Sequence, residues 1–215
     1  MNVTALVVAK APVPGLAKTR LAATVGADAA ADIAAAALLD TLDAVADADF
    51  ATRVVALTGD LDAAARGTEI AARLASYTVV RQRGDGFAER LVNAHMDAFH
   101  GLPVFQIGMD TPQVTPELLN VSASRLTDGQ SVLGMAEDGG WWALGIPDPS
   151  LARALLDVPM STPETGAETL AALTARGAEV TMLDVLRDVD HASDLAIVAA
   201  DCPPGGRFAL VSANV

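Results

Sequence analysis

The sequence predicts an α/β fold built on a mainly parallel β-sheet. Three observations predict it. Short apolar runs rich in Val, Ile and Leu alternate with longer helical stretches, the pattern of βαβ units with right-handed crossovers. With 215 residues, 52% of them hydrophobic and 19% charged, the chain can bury a full core and has no disordered composition. No internal repeat, charge block or Pro/Gly-rich linker divides it. Residues 1–200 are therefore expected to form one domain. A breaker cluster from Pro203 to Gly206 marks residues 201–215 as a loosely attached tail.

The elements follow in order. Residues 3–9 (VTALVVA) are an apolar run with Thr4 its one polar residue, and form the first strand. The alanine-rich stretch 28–48 is a helix; Asp32, Asp40 and Asp43 interrupt its apolar character. No stretch reaches the ~18 apolar residues that span a bilayer, and no basic segment precedes the first strand, so neither a signal peptide nor a membrane anchor is expected. Strands are expected at 53–58, 78–81 and 104–108, with helices at 61–76 and 87–99 between them. The helix at 116–126 has a clear start: Thr115 offers an N-cap hydroxyl, Pro116 a pre-set first turn and Glu117 an early acid. Strands at 131–135 and 142–146 come next, then helices at 150–156 and 162–176, the latter opening on Thr162-Pro163-Glu164 in the same way. A strand at 179–183 and a helix at 192–199 complete the order.

Charge is unevenly spread. Acids outnumber bases 27 to 14, for a net charge of −13. That balance argues against coating a nucleic acid polymer or an anionic membrane. Yet residues 1–27 contain Lys10, Lys18 and Arg20 and no acid, so they carry +3 and the remainder −16. Lys10 and Lys18 are the only lysines. The single cysteine, Cys202, excludes an internal disulfide framework or a cysteine zinc cluster and fits a cytoplasmic setting. His95, His100 and His191 form no metal-binding spacing, and no G-x-S-x-G elbow suggests a serine hydrolase.

In α/β folds ligands sit beyond the carboxyl ends of the strands, which directs attention to four loops. KAPVPGLAKTRL follows the first strand. Pro12 and Pro14 stiffen it, Gly15 lets backbone approach a ligand, and Lys10, Lys18 and Arg20 suit a polyphosphate. It is not a Walker loop, since Ala17 stands where that motif has glycine. QIGMDTP places Asp110 at the end of the fourth strand, as a hard oxygen ligand for Mg²⁺ or as a turn former. The run LDVLRDVDHASDL offers Asp188, Asp190 and Asp194 as partner carboxylates. GMAEDGGWWALGI sets Glu137 and Asp138 before Gly139 and Gly140, as acceptor ligands or as an acidic hairpin turn.

These four segments, in this order, resemble the DUF2064 or glycosyltransferase A-like group, which is similar to 2-phospholactate guanylyltransferases and, more distantly, to molybdenum-cofactor guanylyltransferases. Some members of the group are described as arsenosugar-biosynthesis glycosyltransferases. The resemblance spans about residues 3–198. It implies a three-layer α/β/α GT-A fold that binds a nucleoside triphosphate or nucleotide sugar with a divalent cation, Mg²⁺ or Mn²⁺. On the matching positions, Lys10, Gly15, Lys18, Thr19 and Arg20 would bind nucleotide, with Asp85 added from GDGFAERL, where Arg90 matches the arginine of the family loop. Asp110 and Asp190 would bind the metal, and Glu137, Asp138, Gly139 and Gly140 the acceptor. Lys18, Arg20 and Asp110 would carry catalysis. Two positions depart from the family pattern: Phe87 replaces a glycine in G-D-L-G-x-R, and Met160 replaces an aromatic before Ser161-Thr162.

The expected activity is transfer of a nucleotidyl group from an NTP to a small phosphorylated acceptor, with loss of pyrophosphate. The alternatives are glycosyl transfer from a nucleotide sugar, or nucleotide binding without catalysis. Partners are expected to be small molecules, and the protein a monomer or homodimer.

Overall fold

The computed structural model describes all residues, Met1–Val215. Seven strands, β1 (Thr4–Lys10), β2 (Thr52–Thr58), β3 (Thr78–Arg81), β4 (Val104–Ile107), β5 (Ser131–Ala136), β6 (Trp141–Ile146) and β7 (Val180–Leu186), form one sheet. Its order is β3-β2-β1-β4-β6-β5-β7. β1 lies between β2 and β4, parallel to both, and β2 is parallel to β3. β6 alone runs backwards, antiparallel to β4 and β5, while β7 is again parallel to β5. The reversal is forced by the short link between β5 and β6, which can join only antiparallel neighbours.

Eight α-helices cover the sheet: α1 (Thr19–Val25), α2 (Ala27–Asp47), α3 (Gly67–Leu74), α4 (Phe87–Ala98), α5 (Pro116–Ser124), α6 (Thr165–Ala175), α7 (Ala192–Asp201) and α8 (Arg207–Ser212). Residues Arg125–Asp128 and Pro149–Asp157 are 3-10 helices. The two faces of β1 enter different cores, as alternation along a strand requires. Ala5, Val7 and Ala9 pack with α2 residues such as Leu38 and Leu42. Leu6 and Val8 pack with Leu91 and Val92 of α4 and with Leu155 of the second 3-10 helix. Burial on both faces is why β1 reads as an apolar run. The architecture is three-layered α/β/α with a mainly parallel sheet.

The helix boundaries differ from the sequence expectation at three places. α6 begins at Thr165, with Glu164 at its N-cap and no side-chain cap, so Thr162-Pro163-Glu164 is a turn and not the helix start. Residues 19–25 form a helix, α1, where a loop was expected; it is only 7 residues long and no side chain caps its start. Residues 61–66 are turn, and α3 begins at Gly67 after Arg66 takes a left-handed conformation, φ 52°. A Cβ at Gly67 would fall 2.0 Å from the Leu61 carbonyl oxygen, so this turn closes too tightly for any other residue.

The C-terminal segment is not loosely attached. Phe208 is fully buried in a third core with Ile33 of α2 and Val198 of α7. The Asp40 carboxylate of α2 accepts the N–H groups of Arg207 (3.1 Å) and Phe208 (2.8 Å). The Arg207 guanidinium also reaches Asp43 at 2.6 Å and Glu69 at 2.8 Å. The breaker cluster at Pro203–Gly206 turns the chain back onto α2 instead of releasing it.

Candidate active site

β1 is joined through α2 to β2 on one side and pairs with β4 on the other, which opens a crevice at their carboxyl ends. Lys10 ends β1. Its backbone N–H donates to Met109 Sδ at 3.2 Å, tying β1 to the loop after β4, and its Nζ donates to the Leu16 carbonyl at 2.7 Å. Gly15 has φ 78°, and a Cβ there would meet nothing within 4 Å, so backbone geometry rather than crowding requires glycine.

Lys18 sits at the N-cap of α1 with φ 46° and ψ 52°. A left-handed lysine is unusual, and here it swings Nζ to 2.8 Å from Asp110 Oδ2. Burial alone would lower the Lys18 pKa, but the charge and hydrogen bond of Asp110, aided by Asp190 and Asp188, outweigh it and hold the pKa above its ordinary value. Lys18 is thus a buried, firmly charged ammonium. Arg20, on the first turn of α1, is exposed and paired with Asp190 at 2.5 Å. The hydrogen bond and charge of Asp190 raise its pKa further.

The carboxylates come from two loops that are themselves joined. The Val189 N–H donates to the Asp110 carbonyl at 3.0 Å, and Gln113 Nε2 donates to the Arg187 carbonyl at 2.7 Å. Asp194 anchors the second loop from below, accepting N–H groups of Asp190 and His191 and a hydrogen bond from Arg187. These bonds outweigh the effect of its burial and lower its pKa. Asp188 is pushed up to about 6 by burial and by Asp138 and Asp110, against the opposing charge of Lys18.

A cavity of about 390 Å³ opens below this crest. Among the residues singled out from sequence, Lys10, Asp110, Asp138 and Gly140 line it, and Asp188 joins them. Lys18 stands beside it through its pair with Asp110, whereas Arg20 and Asp190, paired with each other, lie outside the lining. Thr19 is exposed at the start of α1. Asp85 lies in the turn before α4, outside the lining, with its N–H bonded to Glu89 at 2.8 Å. Glu137 also lies outside and is paired with Arg187. Gly139 serves packing: a Cβ there would lie 1.9 Å from the Pro163 carbonyl oxygen. Asp138 Oδ1 accepts the Gly140 N–H at 2.7 Å, closing the β5–β6 turn.

Gln106 and Thr58 line the cavity and escaped the sequence reading, whereas Arg90, from the same loop as Asp85, and Trp141 were within segments singled out from sequence and do line it. Gln106 had a detectable signal, being the one polar residue in the apolar strand Val104–Ile107.

No three acidic or histidine side chains converge to hold a metal ion unaided. Asp110 Oδ1, however, is buried without a hydrogen-bond partner. Mg²⁺ commonly uses one or two carboxylates and takes its other ligands from phosphates and water. The donor set fits a cation delivered with a phosphate ligand.

The family model described as uncharacterized proteins conserved in bacteria, DUF2064, matches residues 41–162. The chain belongs to the DUF2064 family. No curated protein matches it. Among solved structures, this DUF2064 protein is similar to a candidate nucleotide-diphospho-sugar transferase from Desulfovibrio desulfuricans G20, at 25% identity and a TM-score of 0.85, covering 99% of this chain and 95% of that one. Its fold is shared by CMP:2-keto-3-deoxy-manno-octonic acid synthetase complexed with CTP, at 14% identity and a TM-score of 0.59 over 100% of both chains. It is shared as well by Rv0371c of Mycobacterium tuberculosis H37Rv in complex with manganese, at 19% identity and a TM-score of 0.57, covering 92% of this chain and 98% of that one.

Proposed function

We propose that the protein moves a nucleotidyl group from a nucleoside triphosphate to a small phosphorylated acceptor and releases pyrophosphate. The observation that carries this reading is the pairing of Lys18 with Asp110 at the crest of the sheet, beside the Arg20–Asp190 pair. Interleaved cations and carboxylates complement the two parts of a metal triphosphate. The nucleotide-binding and metal-binding members of the fold group support the same reading: one neighbour holds CTP and another manganese.

In this mechanism Lys18 and Arg20 exchange their carboxylate partners for triphosphate oxygens, and Lys10 contacts the transferred phosphoryl group. Asp110 and Asp190, with Asp188 as a further carboxylate, would hold Mg²⁺ or Mn²⁺, which would supply neutralisation of phosphate charge. Acid–base help is unnecessary, since an acceptor phosphate oxygen is already nucleophilic at neutral pH. That oxygen bonds to the α-phosphorus as the bond from the α-phosphorus to its bridging oxygen breaks, and pyrophosphate leaves. The protein supplies alignment and charge stabilisation. Losing one preorganised charged donor typically reduces turnover by about 10²–10³-fold. Lys18→Ala and Asp110→Ala are therefore expected to lose at least about 100-fold in pyrophosphate release. Wild-type turnover in both variants would exclude the mechanism.

A second reading, glycosyl transfer from a nucleotide sugar, is favoured by the similarity to the Desulfovibrio protein. Product identity separates the two. Pyrophosphate from an NTP supports nucleotidyl transfer, and a nucleoside diphosphate from a sugar donor supports glycosyl transfer.

A further inference from the structure

The cavity extends from the crest onto the sheet face covered by α4, the 3-10 helix Pro149–Asp157 and α6. Val8 and Gln106 line it there; Val8 and Val104, in the same phase as Gln106, belong to that face's core. Phe87 and Arg90, from the first turn of α4, form one wall. Ser161 lies in the lining as well, held in the left-handed region at φ 61°. A non-glycine residue held there is a strained feature of the kind concentrated at binding sites.

Eight of the 14 basic side chains are ion-paired. Of the rest, only Lys10 and Arg90 line the cavity, and Lys10 is bonded to a carbonyl of its own loop. Arg90 has no such partner. Its guanidinium lies 5.7 Å from the centroid of the Phe87 ring, which steadies it without neutralising its charge. Its Nε is buried without a hydrogen-bond partner. A buried donor in this condition calls for an explanation, and within a cavity lining a ligand is one.

Arg90 is also separate from the triphosphate loop. That loop leads to Ala17 and Leu21, which pack in the cores of the opposite face, whereas Leu91 and Val92, next to Arg90, pack in the α4 core. Two cationic centres on opposite sides of the crest suit two anions.

We infer that Arg90, steadied by Phe87, receives the anionic group of the acceptor, a phosphate or a carboxylate. This subsite rests on the reading of the protein as a transferase with a second, acceptor substrate. Its charge selects anionic acceptors over neutral ones.

The test uses the full-length protein and tryptophan fluorescence, since Trp141 lines the cavity. Glycerol 3-phosphate and glycerate are titrated separately, with glycerol as the neutral control. The expected result is a saturable signal with one of the two anions and none with glycerol. In Arg90→Gln the Kd for that anion rises about 10- to 100-fold, as for loss of a charged hydrogen bond, and Arg90→Lys restores part of it. The thermal shift given by NTP with Mg²⁺ persists in Arg90→Gln. Three results would overturn the subsite: no saturable signal from either anion, an unchanged Kd in Arg90→Gln, or equal loss of the NTP shift, which would place Arg90 with the triphosphate. Failure of the nucleotide reading is seen separately, as absence of any NTP shift in the wild-type protein.

Discussion

Lys18 combines a left-handed backbone, a buried ammonium and a carboxylate partner in one residue. Its conformation follows from its place: the chain must turn from the β1 crest into α1, and the N-cap lysine makes that turn while aiming Nζ at Asp110. The ion pair preorganises both charges, so neither must be dehydrated from bulk water when a ligand exchanges with it. His95 illustrates the opposite case, a titratable group kept neutral. Burial pushes its imidazole down to about 4 from 6.5, with Gln106 alongside partly opposing the shift. Above pH 6.5 folded and unfolded chains are both neutral at this residue. Below it the unfolded chain takes up a proton that the folded imidazole accepts only near pH 4, so stability falls as pH drops across that window. The full loss is about 3 kcal/mol. Urea midpoints between pH 4 and pH 7 should therefore fall less steeply on acidification in His95→Gln than in the wild type.

At the scale of elements, legibility tracked how local the determinant was. β1 was readable because burial on both faces writes an apolar run, and α5 because Thr115, Pro116 and Glu117 mark its start; Thr115 accepts the Leu118 N–H as the cap requires. α1 was not, because seven residues without a side-chain cap carry too little signal. The crest residues Lys10, Lys18 and Asp110 could be singled out because each lies at the carboxyl end of a strand or in the loop that follows it. Arg90 could be named only as part of the loop GDGFAERL, and its approach to Gln106 could not be read at all, since that depends on how α4 docks across β1 and β4. Two elements give mechanical tests. α8 is held by Phe208, so Phe208→Ala should destabilise the protein by about 3–5 kcal/mol, read by chemical unfolding. The β5–β6 turn abuts the start of α6, where Gly166 N–H donates to the Gly139 carbonyl at 2.8 Å. Gly139→Ala would add a Cβ against Pro163 at φ 88°, and its melting temperature should reveal a loss of more than about 1 kcal/mol.

For the whole molecule, the net charge of −13 is the wrong measure of what the protein binds. The fold concentrates its only lysines at the end of β1 and the start of α1, beside Asp110, Asp188 and Asp190. No helix is long and apolar enough to cross a membrane. An acidic three-layer protein thus presents clustered cations at one point on its crest. The most direct test is the melting temperature of the wild-type protein and Lys18→Met with each of the four NTPs and common nucleotide sugars, with and without Mg²⁺. A ligand at 100 times its Kd stabilises by about 2.7 kcal/mol, a rise of roughly 5–10 °C for a chain of this size. At least one NTP with Mg²⁺ should produce that rise in the wild type and little of it in Lys18→Met. No rise with any nucleotide, or an equal rise in the variant, would contradict a nucleotide site at Lys18.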